Sequence, residues 1–530
     1  MNVLSILQHW GQWFNQGWHN LVPPYLVTTG AFILGLAFRR AALIRYVTAP
    51  VAGFALTFFG LLAAVLIEWA VLQPMGIDHR PWSAVASLGF VLVGGFAGAL
   101  QPRGSRGPVV RRGTVIETAS GKRPKSARER AKLASRGVVT FAGIEVPLKD
   151  EVKHFKLIGT TGTGKSTTIN ELVEGALRRG DRAVFADPDG AYLARFYDPP
   201  RGDVILNPFD SRSRKWDVFA EIRADYDFDH LARSLIPEGV GSDRVWRTYA
   251  QTFFSAVVRQ AHGTGVTDSA ELYRLLTSAP AEELRILLEG TPAQPFVEDG
   301  NQRMFGSIRS VTSNAVAPLG YIQRQTSELF SIRKWVAEGR GVLFLPYQAD
   351  QIAALRSVIS TWMRTAIFQT MSQGEKDHRI WFVIDELDAL GAIDGLKDAL
   401  VRLRKFGGRV VLGFQSIAQV SGLYGESESQ SIVENCANTL ILRCSASEQG
   451  GTARFASRLI GEREIVREHV TRNRAAAFFD ASRNTESHSL QHVVESAVLP
   501  SEIEQLPDLV GYLKLASRPE WLHLQLPLPA

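Results

Sequence analysis

The residues with the plainest chemistry are Gly159, Thr160, Thr161, Gly162, Thr163, Gly164, Lys165, Ser166 and Thr167, which read GTTGTGKST. Their spacing satisfies G-x-x-x-x-G-K-[ST], in which small residues let successive backbone N–H groups turn inward onto phosphate oxygens. Lys165 then falls between the β- and γ-phosphates, and Ser166 falls where a hydroxyl ligates magnesium. The helix expected to begin near Lys165 adds its positive dipole end at the same point. A ligand-free Gly/Thr-rich turn would have the same composition. The apolar HFKLI before the loop and STTINELVEGALRRG after it supply the strand–loop–helix context that phosphate binding needs. ATP and Mg2+ are the expected cofactors.

A second candidate is acidic. In RIWFVIDELDAL an apolar run ends at Asp385 and Glu386. A strand ending there delivers Asp385 to the magnesium shell and leaves Glu386 to orient and deprotonate an attacking water. Two adjacent carboxylates alone could be a solvated turn, and the phosphate loop upstream favours catalysis. A further strand, RVVLGFQS (409–416), ends at Gln415, whose amide either reaches the γ-phosphate or lytic water or simply caps the strand. Between these strands Arg402, Arg404, Lys405 and Arg409 cluster. One helix face cannot aim all four at one phosphate, so most are expected at the surface, with at most one or two reaching a neighbouring subunit's site.

The elements around these residues read as α/β. RAVFADPDG (182–190), GDVILNPFD (202–210) and GRGVLFLPY (339–347) are expected strands, and 351–372 a long helix. VVTFAGIEVPL alternates and turns at Gly143 as a hairpin would. From about 225 to 321 apolar residues recur at helical spacing with little strand signal, an all-helical insertion. Cys436 and Cys444, the only cysteines, sit in an apolar stretch and read as reduced core residues, since no other Cys or His has ligand spacing with them.

The first hundred residues are different material. Apolar runs cover 25–38, 49–72 and 83–100; the second exceeds the roughly 20 residues a bilayer requires, the third is marginal and the first short. No Lys or Arg precedes residue 25, whereas Arg39, Arg40 and Arg45 follow the first run, Arg80 lies between the second and third, and Arg103, Arg106, Arg111 and Arg112 follow the third. The positive-inside rule then predicts three spans, with everything after Leu100 cytoplasmic. The alternative has two spans, with the first run lying in the interface near Trp10, Trp13 and Trp18. Glu68 lies near the outer end of the second run, where snorkelling explains it. A cleaved signal peptide is disfavoured, because the start has no basic segment and the apolar runs repeat. The basic stretch from Gln101 to about Arg136 suits an anionic leaflet or nucleic-acid phosphates equally. A net charge of +6 permits a nucleic-acid partner without requiring one.

GTTGTGKST, ADPDGAY, LNPFDSRSRKWDVF, WFVIDELDAL, GFQSIAQ and ESAVLPSEIEQLPDLVGYLKLA together resemble, in order and spacing, the coupling ATPases of type IV secretion systems, the TraD/TrwB branch of conjugation proteins. The resemblance covers the chain after the apolar segment. It implies a RecA-like P-loop ATPase core with an all-α insertion, preceded by an N-terminal transmembrane segment in the bacterial inner membrane. It further implies a homohexamer that pumps single-stranded DNA with attached relaxase, delivered by the relaxosome, into the channel proteins of the secretion system. Carried over by position, Lys165 and Ser166 match the loop lysine and magnesium ligand, Asp385 and Glu386 the acidic pair, and Gln415 the γ-phosphate sensor. Arg404 matches an arginine acting across the subunit boundary. Lys153 stands where relatives can place a second such arginine, and offers a point charge instead of a fork. Relatives mostly have two spans, so the third run is a departure. The expected layout is an anchor over 1–102, ATPase core over 103–224 and 323–530, and the insertion over 225–322. Two other readings remain open: a membrane ATPase whose direct cargo is protein, and a nucleotide-gated scaffold, which the complete acidic pair opposes. An ABC-type transporter is disfavoured by the lack of an LSGGQ-like signature.

Overall fold

A computed structural model describes residues 8, 18–38, 43–67, 82–100, 109–119, 132–133, 135–239, 242–374, 378–446, 451–473 and 485–527. The chain divides into two units, one of residues 111–464 with 494–530 and one of residues 1–110 with 465–493.

The larger unit is built on a ten-stranded sheet. Numbered along the chain, its strands are β1 (Ile116–Thr118), β2 (Phe155–Ile158), β3 (Arg182–Pro188), β4 (Val204–Ile205), β5 (Val342–Tyr347), β6 (Ile380–Ile384), β7 (Gly408–Phe414), β8 (Asn438–Ile441), β9 (Val510–Lys514) and β10 (Trp521–Gln525). Their spatial order is β1-β10-β9-β8-β2-β7-β6-β3-β5-β4. From β8 to β4 every neighbouring pair is parallel. Every residue of β2, β6 and β7 is buried, as strands covered by helices on both faces must be, which explains why they read as largely apolar runs, broken only by the buried Lys156 in β2 and Arg409 in β7. Helix α1 (Lys165–Arg178) buries Thr168, Ile169, Leu172, Val173 and Ala176, one stripe at helical spacing. Helix α2 (Ile352–Ser372) follows β5, close to its expected bounds.

Parallel strands place all their C-terminal ends on one edge of the sheet. There β2 opens into the phosphate loop, β6 into Asp385 and Glu386, and β7 into Gln415. Because β7 lies between β2 and β6, Gln415 emerges between the loop and the acidic pair.

At the opposite edge Arg402, Arg404 and Lys405 are exposed, as expected of most of the cluster, whereas Arg409 is 1% exposed. It lies in β7, its guanidinium over the Trp381 ring, and its Nε donates to Glu151 Oε2 at 3.0 Å. Arg179 donates to both oxygens of Glu151 at 2.8 Å and also pairs with Asp181, which accepts the Trp381 indole N–H at 2.9 Å. The buried charges are thus neutralised in place. Breaking a buried pair strands its partner. Since Glu151 keeps Arg179, Arg409→Ala is expected to cost about 3 kcal/mol, the lower end of the usual range, read as a lower urea midpoint.

The expected strand at 202–210 shortens to β4, because Asn207 Oδ1 accepts the Phe209 N–H at 2.8 Å and turns the chain, while its Nδ2 donates to Pro346 O. The hairpin at Gly143 forms, Thr140–Phe141 against Ile144–Glu145. Cys436 and Cys444 are buried free thiols. Six helices among the described residues, from Tyr226–Leu235 to Ala317–Ile322, follow β4 along the chain before β5. Glu221 braces the chain on either side of them, accepting Trp216 Nε1 and the backbone N–H groups of Ile332 and Arg333. Two long strands, Glu462–Asn473 and Thr485–Ser496, pair outside the central sheet and were not anticipated from sequence.

In the smaller unit the apolar runs form helices over Trp18–Phe38, Leu43–Ile67 and Trp82–Ala99. Glu68 and most of the basic stretch lie outside the described residues. Among the residues described, no helix is long and apolar enough to cross a membrane. The first and third helices pack tightly: a Cβ on Gly98 would lie 2.2 Å from Phe32 O.

Candidate nucleotide site

The loop from Gly159 to Ser166 curls as its composition requires. Gly162 and Gly164 adopt φ values of 78° and 114°, in the left-handed region that favours glycine. Thr163 Oγ1 donates to Thr160 O at 2.7 Å, closing the turn. Lys165 Nζ folds back over the loop, donating to Gly159 O at 2.8 Å and Thr160 O at 3.2 Å. Burial lowers its pKa, and the nearby Asp385 and Glu386 oppose that shift.

Ser166 Oγ donates to Asp385 Oδ2 at 2.6 Å. Asp385 is buried, and its Oδ1 has no hydrogen-bond partner. A buried carboxylate oxygen with no donor, next to a hydroxyl, suits a hard cation that takes one or two protein oxygens and completes its shell with water and phosphate. Among the described residues no cluster of three or more His, Cys, Asp or Glu is arranged for a metal, so an all-protein cage is not what this site offers. The residues present fit Mg2+.

Thr161 Oγ1 donates to Gln415 Oε1 at 3.1 Å, and Gln415 Nε2 donates to Glu386 Oε1 at 3.3 Å. A polar relay thus runs from the phosphate loop to the second carboxylate. Burial raises the Glu386 pKa, and Asp385 and Asp388 raise it further.

Residues 138–527 match the family model described as the type IV secretion-system coupling protein DNA-binding domain. The chain belongs to this family. It is 35% identical to the coupling protein TraD of Escherichia coli (strain K12) over 373 residues, 69% of this chain and 51% of TraD. The chain therefore spans about half the length of that curated relative. Among solved structures, the unbound bacterial conjugative coupling protein TrwBdeltaN70 is 32% identical with a TM-score of 0.68, covering 79% of this chain and 93% of that one. TrwB in complex with the non-hydrolysable ATP analogue ADPNP is 31% identical with a TM-score of 0.68, covering 81% and 96%.

All the loop residues, the acidic pair, Gln415 and Arg404 fall within the span matched to the family. Arg404 is not brought to the site of its own chain: it occupies a turn, Arg404–Phe406, just before β7, at the sheet edge away from the loop. Lys153 precedes β2 on that same edge and is paired with Asp150 at 2.8 Å.

Several residues at the site were missed in the sequence. Gly413 touches Asp385: a Cβ there would lie 2.1 Å from Asp385 O, so only glycine lets β7 pass. Leu509 N donates to Thr163 O at 3.1 Å, and Leu526 lies against Gly164, so the C-terminal strands roof the loop. No local signal could have linked residues so far apart in sequence. Asp187 and Tyr192 also reach the site, and their signal was present in ADPDGAY, a polar turn closing an apolar strand.

Proposed function

We propose that this chain is a membrane-anchored coupling ATPase that hydrolyses ATP to drive single-stranded DNA, with its attached relaxase, into a type IV secretion channel. The observation that carries the reading is the relay Thr161–Gln415–Glu386 beside the Ser166–Asp385 pair with its unpartnered oxygen. That is the arrangement a hydrolase needs, and a purely nucleotide-gated scaffold has no use for the relay.

Ser166 and Asp385 would hold Mg2+, which when bound neutralises phosphate charge. The chain's own residues do the rest. Loop N–H groups from Gly159 to Ser166 receive the phosphates, with Thr160, Thr161 and Thr163 lining the turn and Thr167 in the first turn of α1. Lys165 leaves its two loop carbonyls for the β- and γ-phosphates. Glu386 accepts a proton from the attacking water, and Gln415, held between Thr161 and Glu386, reports whether the γ-phosphate is present. Arg404, on the far edge of its own sheet, acts at the site of a neighbouring protomer in a homohexamer.

The anchor is residues 1–102, with the ATPase core over 103–224 and 323–530 and the all-α insertion over 225–322. Support for a lipid setting comes from the smaller unit, where Leu34, Val51, Phe54, Phe59 and Phe96 are exposed while the helices meet through small residues such as Gly35 and Gly98. Bilayer helices pack in this way, with small residues between them and large apolar ones facing lipid. The arginine distribution favours three spans and a cytoplasmic ATPase at the bacterial inner membrane. Relaxosome and channel proteins are the proposed partners.

The test is ATP turnover by the full chain in detergent, with and without single-stranded DNA. We expect DNA to raise the rate several-fold at modest salt, with the stimulation fading as salt rises, because phosphate contacts release counterions. Turnover indifferent to DNA but raised by relaxase would replace this reading with one in which the direct cargo is protein.

A further inference from the structure

After β3 the chain reverses through Asp189 and Gly190, at φ 57° and 69°. The Asp187 carboxylate secures the reversal, accepting Tyr192 N at 3.0 Å on Oδ1 and Leu193 N at 2.7 Å on Oδ2. Asp187 is fully buried and Tyr192 nearly so. The Tyr192 ring stacks on Phe185 of β3, centroids 5.0 Å apart and planes 23° off parallel. Its hydroxyl donates to Asp385 Oδ2 at 2.7 Å. Ser166 donates to that same oxygen at 2.6 Å. Oδ2 therefore takes two hydrogen bonds and Oδ1 takes none.

We propose that Tyr192 is a positioning residue for Asp385, fixing which carboxylate oxygen is offered to the metal of the nucleotide site. The inference rests on the nucleotide-hydrolysing reading above. A carboxylate free to rotate would present either oxygen, whereas rotation here breaks two short hydrogen bonds. Ser166 contributes in a complementary way: its proton is committed to Asp385, so its oxygen lone pairs remain for the cation. Tyr192 acts through the Ser166–Asp385 pair, its hydroxyl donating to Asp385 and lying beside Ser166. Groups that orient metal ligands from behind typically change metal affinity about 10–100-fold when removed.

Tyr192→Phe deletes the hydroxyl and keeps the stacked ring. The experiment titrates Mg2+ into the full chain with a fluorescent ADP analogue and repeats nucleotide binding in EDTA. The expected result is a Mg2+ midpoint about tenfold higher, with metal-free nucleotide affinity and unfolding temperature unchanged. Asp187→Asn, which loosens the turn carrying Tyr192, is expected to shift the midpoint in the same direction. Mn2+ binding in the presence of ADP, counted by electron paramagnetic resonance, reads the same oxygen without turnover and is expected to weaken in parallel. An unchanged Mg2+ midpoint in Tyr192→Phe, or a metal-free affinity that falls in step with it, overturns the proposal. A wild-type chain that binds no nucleotide in either buffer overturns the hydrolase reading itself, a distinguishable outcome.

Discussion

Replacing Glu386 by glutamine is expected to lower ATP turnover about a thousandfold, within the usual span for loss of a general base, while leaving ATP binding intact. The side chain keeps its size and can still meet Gln415, which lies 3.3 Å away, so the relay from Thr161 survives the change. What is lost is the ability to take a proton. The pH dependence supplies a second check with a definite sign. Burial, then the charges of Asp385 and Asp388, raise the Glu386 pKa, and Lys165 and Gln415 only partly offset them. A base must be deprotonated, so the acidic limb of the rate profile should lie above the ordinary carboxylate range, with activity falling as pH drops through that raised pKa. In Glu386→Gln the limb should vanish with the activity. Single-turnover hydrolysis with separately measured ATP affinity checks both, and a variant with near-normal turnover would remove Glu386 from the mechanism.

Lys165→Ala is expected to reduce kcat/KM for ATP hydrolysis by at least about a hundredfold, the scale for removing one preorganised donor to developing phosphate charge. The direction of its effect on stability differs. The ammonium is buried, desolvation lowers its pKa, and its direct hydrogen bonds are to two loop carbonyls. A buried charge held this way contributes little to folding. The unfolding midpoint of Lys165→Ala should therefore stay at or above that of the wild type. Thermal unfolding beside the kinetics separates a lost phosphate contact from a collapsed loop. A large fall in midpoint would mean that Lys165 holds the loop together.

Much of the site was legible because its parts are short and local. A strand, a Gly-rich turn and a helix occupy consecutive residues, and the burial of β6 on both faces made its apolar run unmistakable. The burial of Arg409 was not legible because a charged residue next to other charged residues looks solvated. Its burial depends on Glu151, more than 250 positions earlier in the chain, whose partnership no local pattern reveals. The paired strands at 462–473 and 485–496 were missed because their sequence is too polar for a period-two signal to mark a buried face.

The sequence by itself determined the chemistry: Lys165 and Ser166 at their spacing, two carboxylates closing a strand, a glutamine closing the next, and a family resemblance in the order of the motifs. Tertiary structure decided which of these meet. Placing β7 between β2 and β6 puts Gln415 within reach of both Thr161 and Glu386, and pairing β3 with the other side of β6 brings Tyr192 to Asp385, where Ser166 shares the same oxygen. Strand order is set by how whole layers bury their faces, a property of the packed chain and not of any window along it.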